Sequence, residues 1–305
     1  MMNSQEVRVV DPVLSKHALD YKHPERVGGL LFPTVPVTVG AGKRIEFNRD
    51  SFMLYRARRA PGAHTAQITF GYVGKSYELT QDALDVKVPR EHVRDASVPG
   101  IDMGMRATDT AMNSLTLLLE NEQATLATDP ANYPDTHKIA LSGSAKWSHA
   151  EGDPLATLAA GKQAVRGATG MKPNTLILSP DAWEAARSNP NVTKWFTTAG
   201  GPVTLARFKE LVEIEQVAVG EAVFVNDGGA FSDVWRNVAV LAYAPPNPLG
   251  KEEPSYGYTY TIEGHPAVEE AWYQGETKSW IYGALYERAP LLTGVSAGYL
   301  IQTPA

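Results

Sequence analysis

No cysteine occurs among the 305 residues. That excludes disulfides, thiolate nucleophiles and thiolate metal sites, and it fits a protein made in a reducing cytoplasm. Histidine is sparse and scattered. The seven (17, 23, 64, 92, 137, 149, 265) show neither i,i+4 spacing nor HExxH, so no metal site and no cofactor are expected. Long apolar runs are missing too. The greasiest stretch, 238–244, is strand-sized and far too short to cross a bilayer, so no membrane partner is expected. The opening MMNSQEVRVVDP has no apolar centre for a signal peptide. Without secretion, the Asn191-Val192-Thr193 match to a glycosylation acceptor is a coincidence.

Catalytic motifs are also missing or fail on inspection. No GxGxxG opens a helix, which leaves a dinucleotide site unsupported. Residues 40–44 resemble a phosphate loop, but Val37 and Arg44 stand where glycine and Ser/Thr are required. Gly294-Val295-Ser296-Ala297-Gly298 matches a nucleophile elbow, yet no histidine follows it to complete a triad. Glu252-Glu253 and Glu269-Glu270 are adjacent pairs, which point to opposite faces of a strand and cannot flank one glycosidic bond. The aromatics of the last third are not interleaved with Lys/Arg and read as sheet packing, not a base-stacking face. No enzyme activity is expected.

What is present is architecture. Residues 101–128 contain no proline and one glycine, and Met105, Met112, Leu115, Leu119 and Leu126 recur at helical spacing. Asp102 caps the start and Asp129-Pro130 stops it. Such a helix is about 40 Å long, wider than a small domain. Asp109, Asn113, Glu120 and Gln123 are expected to keep one side polar, making an amphipathic rod with the five apolar residues as its core face.

Charge is uneven. Residues 1–60 carry ten Lys/Arg against six Asp/Glu, a net +4 within a chain of net −6. A basic leading segment on an acidic body suits a polyanion or a neighbour's acidic surface. Residues 1–45, punctuated by Pro12, Pro24, Pro33 and Pro36, are expected to be disordered or extended over another surface. From 51 to 88 the pattern has period two. Phe52 and Leu54 face Ile68, Phe70 and Tyr72 across a polar turn, Arg58-Arg59-Ala60-Pro61-Gly62-Ala63-His64, which reads as a long β-hairpin. An isolated hairpin is marginal in water, so it should lie on something else, plausibly another subunit.

After the helix, 138–141 and 145–147 read as short strands. Asp153-Pro154 starts a helix ending at Gly167 or Gly170. A buried strand follows at 175–178, then a helix capped by Ser179-Pro180. A helix at 202–211, strands at 215–219 and 222–225, and a central strand at 238–244 complete an α/β layer. The rest is β-rich: 256–262, 267–273, 278–287, 291–293 and 299–301.

A leading arm, a dependent hairpin and one very long helix suit contacts between copies. The order of these elements resembles the major capsid proteins of tailed bacteriophages, the HK-97-type capsid fold. Three strings carry the likeness: Ala131-Asn132-Tyr133-Pro134 followed by Trp147 and Asp153-Pro154; Pro173-Asn174-Thr175-Leu176-Ile177-Leu178-Ser179-Pro180-Asp181-Ala182-Trp183; and Ala297-Gly298-Tyr299-Leu300-Ile301. The resemblance implies an α+β class with an N-terminal arm at 1–45, an extended loop at 46–82, a peripheral domain at 83–150 and 250–288, and an axial domain at 151–249 and 289–305. It implies self-association into hexamers and pentamers, with inter-subunit contacts at the hairpin tip through Arg56, Arg58, Arg59 and His64. It also implies an arm facing packaged double-stranded DNA through Arg8, Lys16, Lys22 and Arg26, contacted without sequence reading. A portal protein and a decoration or cement protein would be partners. With no long segment before the arm, a separate scaffolding protein, or none, is expected. Two other readings stay open: an encapsulin-type compartment with protein cargo, and an α/β enzyme without a recognised motif.

Overall fold

The computed structural model describes residues 10–45, 74–96, 102–196, 201–245 and 255–305. Local chemistry sets most element boundaries. Helix α1 (Pro12–Asp20) starts where Asp11 accepts from the amides of Val13 and Leu14. Strands β1 (Thr34–Val37), β2 (Ala41–Ile45), β3 (Gly74–Glu78) and β4 (Thr80–Pro89) follow, then helix α2 (Arg90–Ala96). The long helix is α3 (Met103–Thr128), capped by Asp102, whose carboxylate accepts from Gly104 and Met105. Its 26 residues span about 39 Å. Hydroxyls of Thr108, Thr110, Ser114, Thr116, Thr125 and Thr128 donate to carbonyls one turn back, which is how a threonine-rich helix satisfies its side chains.

Strand β5 (Lys138–Ala140) precedes helix α4 (Pro154–Thr169), capped by Asp153 and closed by Gly170 in the left-handed conformation. Then come β6 (Thr175–Leu178), α5 (Pro180–Ser188), α6 (Pro190–Thr193), α7 (Leu205–Val212), β7 (Gln216–Val219), β8 (Val223–Val225), β9 (Phe231–Asp233) and β10 (Val238–Ala242). Strands β11 (Gly257–Ile262), β12 (Ala267–Val268), β13 (Trp272–Gln274), β14 (Ser279–Leu292) and β15 (Gly298–Gln302) end the chain.

Two sheets organise these elements. The first is built on the 14-residue β14. Strand β4 runs antiparallel to it from Ser279↔Pro89 to Arg288↔Thr80. Strands β11, β12 and β13 also pair with β14, and β1 joins β11 in parallel. Helices α1 and α3 cover one face, burying Leu14, Ala18, Met112 and Leu115 with Ala284 and Tyr286. The second sheet has the order β5-β15-β10-β6-β7. Its alternate residues feed two cores. Leu176, Leu178, Ala239, Leu241, Tyr299 and Ile301 pack with α4, α5 and α7. Ile177, Val238, Val240, Ala242 and Leu300 pack on the opposite side with Ala124 and Ala127 of α3, Tyr133 and Trp235.

Several expectations are corrected. The segment 10–37 is ordered against its own chain: α1 and β1 pack on α3, β11 and β12. Residues 145–147 form no strand. Gly143–Ala145 is a 3-10 turn, and the Asn189 side-chain amide grips the carbonyls of Trp147, His149 and Gly152. Stretch 267–273 splits into β12 and β13. Strand β5 and Trp147, counted above with the peripheral segments, belong to the second sheet and its core, while β14 carries the first sheet on to Leu292. The projecting part of the hairpin and Glu252-Glu253 lie outside the described residues. Its root is present as β2 and β3, antiparallel from Ala41↔Glu78 to Ile45↔Gly74.

On α3 the expected apolar face packs inward except at its first residue. Met112 and Leu115 are buried and Leu119 and Leu126 half-buried, but Met105 is 37% exposed. The core line at that end is small: Gly104, Ala107, Thr108 and Ala111, with Tyr282 against Gly104. Glu120 and Gln123, placed above on the polar side, are 1% and 2% exposed.

Candidate assembly interface

The arm and the loop root are the segments expected above to meet neighbouring copies. Two buried charged side chains hold them to α3.

Glu120 secures the arm. Its Oε1 accepts from the amides of Val27 and Gly28 at 3.1 and 3.0 Å and from Trp235 Nε1 at 2.7 Å, and its Oε2 accepts from Gly28 at 2.9 Å. One carboxylate therefore joins the arm, the spine helix and the segment entering β10. Burial pushes its pKa up, opposed by the bonds from Trp235, Gly28 and Val27 and by the charge of Arg26. One turn on, Gln123 Nε2 donates to Thr259 Oγ1, which donates to Phe32 O. Leu31 and Phe32 are fully buried beside them.

Gly28 has no room for a side chain. A Cβ there would lie 2.2 Å from Gln123 Oε1 and 3.1 Å from Gln123 Cβ. Gly28→Ala is expected to cost about 1–3 kcal/mol by overpacking, measured as a shift in the urea midpoint with the slope unchanged. An unchanged midpoint would contradict this packing.

Towards the N-terminus, Ser15 Oγ donates to Val268 O at 3.2 Å and accepts from Val268 N at 2.9 Å. His17 Nε2 sits 2.7 Å from Asp109 Oδ1.

Arg288 secures the loop root. Its side chain is 1% exposed and forms ion pairs with Asp82 at 3.1 Å and Glu122 at 2.5 Å. Its guanidinium lies 5.1 Å from the Tyr286 ring centroid. Strand β4, which carries Asp82, is thereby tied through β14 to α3 at the end nearest β3. In the β2–β3 ribbon, Tyr77 stacks on Tyr260 with centroids 5.0 Å apart.

The residues expected at contacts distribute as follows. Arg8, Arg56, Arg58, Arg59 and His64 lie outside the described residues. Lys16 and Lys22 are exposed. Arg26 is half-buried and donates from Nη2 to Asn113 Oδ1 at 3.1 Å. Lys22 and Arg26 line a groove of about 630 Å³ between arm and spine, with Tyr21, Thr116, Leu119 and Glu120 among its other walls. Trp235 and Arg288 carry no sign of these roles in the sequence, and Glu120 reads there only as part of a polar helix face. A polar residue on a helix carries no local sign of a partner 90 or more positions away. Helix α1 did carry a sign, since Asp11-Pro12 repeats the Asp153-Pro154 start signal.

Ser296 is exposed in a 3-10 turn, Val295–Ala297, that passes directly into β15, so the strand–serine–helix geometry of a nucleophile elbow is not formed. Among the described residues no three His, Asp or Glu side chains converge to hold a metal ion, and no helix is long and apolar enough to cross a membrane.

The family model described as Phage major capsid protein E matches residues 132–244. The major capsid protein of Burkholderia phage BcepMu is 33% identical over 301 residues, covering 97% of each chain. A phage-related protein of Bordetella bronchiseptica, known from its crystal structure, is 43% identical, covers 98% of both chains and superposes with a TM-score of 0.86. The capsid of cyanophage P-SCSP1u shares the fold at 9% identity, with a TM-score of 0.56 over 89% of this chain and 86% of that one. This chain therefore belongs to the phage major capsid proteins, structural subunits with the α+β HK-97-type fold.

Proposed function

We propose that copies of this chain close as hexamers and pentamers into an icosahedral shell around packaged double-stranded DNA, assembling in the host cytoplasm. The single observation carrying this reading is the 33% identity to a phage major capsid protein across 97% of both chains. The first sheet with α2 and α3 serves as the peripheral domain (83–150 and 250–288). The second sheet with α4 to α7 serves as the axial domain (151–249 and 289–305). Strand β5 goes with the axial domain, and the end of β14 with the peripheral one. Residues 1–45 act as the arm and 46–82 as the extended loop. A portal protein, a separate scaffolding protein and a decoration protein complete the particle. The hairpin tip, with Arg56, Arg58, Arg59 and His64, touches an adjacent subunit. Exposed ion pairs there contribute about 0–1 kcal/mol each, so they set register more than strength. Arg8, Lys16, Lys22 and Arg26 face DNA phosphates, without reading sequence. Many weak contacts per subunit hold the shell by multivalency.

The test is deletion of residues 54–70. The expected product is a folded, soluble subunit that forms no closed shells by electron microscopy. Intact shells from that deletion would refute the loop's role.

A further inference from the structure

Two features of the second sheet stand on its opposite sides. The first is the β8–β9 hairpin. Val223 pairs with Asp233 and Val225 with Phe231, so these four share one face, while Phe224 and Ser232 share the other. Phe224 faces inward, packed with the Ala222 and Trp235 core. Val223, Val225 and Phe231 are 41, 56 and 77% exposed. The turn between them is already set. Asn226 Oδ1 accepts from Gly228 and Ala230, Asn226 Nδ2 donates to Ser232 Oγ, and the Asn226 amide donates to the Ala230 carbonyl. A rigid ribbon thus presents a bare phenylalanine to solvent.

The second feature is a groove of about 520 Å³ lined by Arg187, Thr193, Phe196, Pro202 and Val203. Phe196 and Val203 form the margin of the α4–α5–α7 core. Trp195 beside it is 60% exposed, and Arg207 Nη1 lies 3.5 Å from Pro202 O.

Charge distinguishes the two. Residues 184–210 contain four Lys/Arg (187, 194, 207, 209) against two Asp/Glu (184, 210), and Arg187 pairs with Glu184 at 2.7 Å. Residues 216–236 contain three Asp/Glu (221, 227, 233) against one Lys/Arg, Arg236, whose guanidinium lies over Phe224 on the hairpin's other face. An apolar knob with an acidic rim therefore matches an apolar groove with a basic rim. The hairpin belongs to the core shared with α3 and the groove to the core on the other side of the sheet, so one copy cannot seat its own knob. A knob and a groove on opposite sides of one module make a head-to-tail contact, which closes into a ring when the rotation between copies closes and otherwise runs on as a filament.

We propose that the β8–β9 hairpin of each subunit docks in the groove beside Trp195 of the next subunit, with Phe231 as its anchor. This rests on the self-assembly reading above and gives it a residue-level contact. An aromatic inserted into a pocket is the usual anchor of an interface, and the surrounding opposite charges fix its orientation.

The test uses the full chain, which brings no native cysteine. Phe231→Cys and Val203→Cys are introduced together and singly, and assembled particles are oxidised and run on non-reducing gels. The double variant is expected to give a ladder of covalent oligomers, and each single variant only monomer. Absence of the ladder in particles that do form, or a Phe231→Cys homodimer, would overturn the contact. A second arm reverses charge. Asp227→Lys with Asp233→Lys, and Arg187→Glu with Arg207→Glu, should each raise the concentration needed for assembly about tenfold or more. Combining all four should restore it, which a folding defect would not. Normal assembly of either pair alone overturns the proposal. A wild-type chain that never assembles would instead reject the self-assembly reading itself.

Discussion

Glu120→Ala is expected to destabilise the subunit by about 3 kcal/mol and to free the arm from the spine. The carboxylate takes N–H groups of Val27, Gly28 and Trp235. Each loses its partner in a site from which water is excluded, at about 1–3 kcal/mol apiece. Against that stands the relief of no longer burying a carboxylate, which offsets part of the sum. Glu120→Gln keeps one acceptor oxygen but turns an NH₂ towards donors, so it should cost roughly half as much. Trp235→Phe removes one donor together with its packing. Its effect should be smaller in the Glu120→Ala background than in wild type, because the two share a bond. Hydrogen exchange would locate the damage, with protection lost over residues 14–32 and retained in β6 and β10.

The same carboxylate fixes a pH dependence. Its folded-state pKa lies above its unfolded value, chiefly through burial. A raised acid binds its proton more tightly when folded, so its contribution to stability is complete in acid and is lost as pH rises through the folded pKa. Glu120→Gln does not titrate there. The stability advantage of wild type over Glu120→Gln should therefore be larger near about pH 4 than near pH 7. The opposite slope would mean that the three donors outweigh burial.

The second large effect concerns Arg288. Asp82→Asn with Glu122→Gln leaves a guanidinium that is 1% exposed without an anion. Stranding a buried charge in this way costs about 3–5 kcal/mol. Adding Arg288→Met to that pair should recover most of the loss, since an apolar side chain of similar length suits the surroundings of Tyr286 and Leu115. Arg288→Met alone should sit between the two, because Asp82 and Glu122 are 22 and 36% exposed and can be hydrated. Urea denaturation of the four chains gives the comparison. If the double acid variant matches wild type in stability, Arg288 is not held by those ion pairs.

Start and stop signals made much of the fold legible in sequence. Asp153-Pro154 and Gly170 bracket α4, Ser179-Pro180 starts α5, and the unbroken apolar run 175–178 is a fully buried strand. Such signals act within one turn of the residues that carry them. Trouble arose where the deciding partner is remote. Met105 has helical spacing with Met112, yet Tyr282 from β14 packs against Gly104 and fills that side of the helix. Glu120 and Gln123 look like solvated helix residues until Gly28, Trp235 and Thr259 are folded onto them. The arm's partners, β11, β12 and α3, lie 87 to 253 residues further along the chain, so nothing local in sequence shows that it folds onto them. Of the proposed contact surfaces, charge and aromatic content were visible, but not which side of the second sheet each would occupy. That depends on the alternation of Leu176, Ile177 and Leu178 between two cores.

The central claim is that copies of this subunit assemble into a closed shell. Purified full-length protein, concentrated and imaged by electron microscopy, tests it most directly. Closed shells or rings of five and six are the expected result. A uniform field of single small particles that persists at high concentration, with sedimentation at the monomer mass, would contradict it.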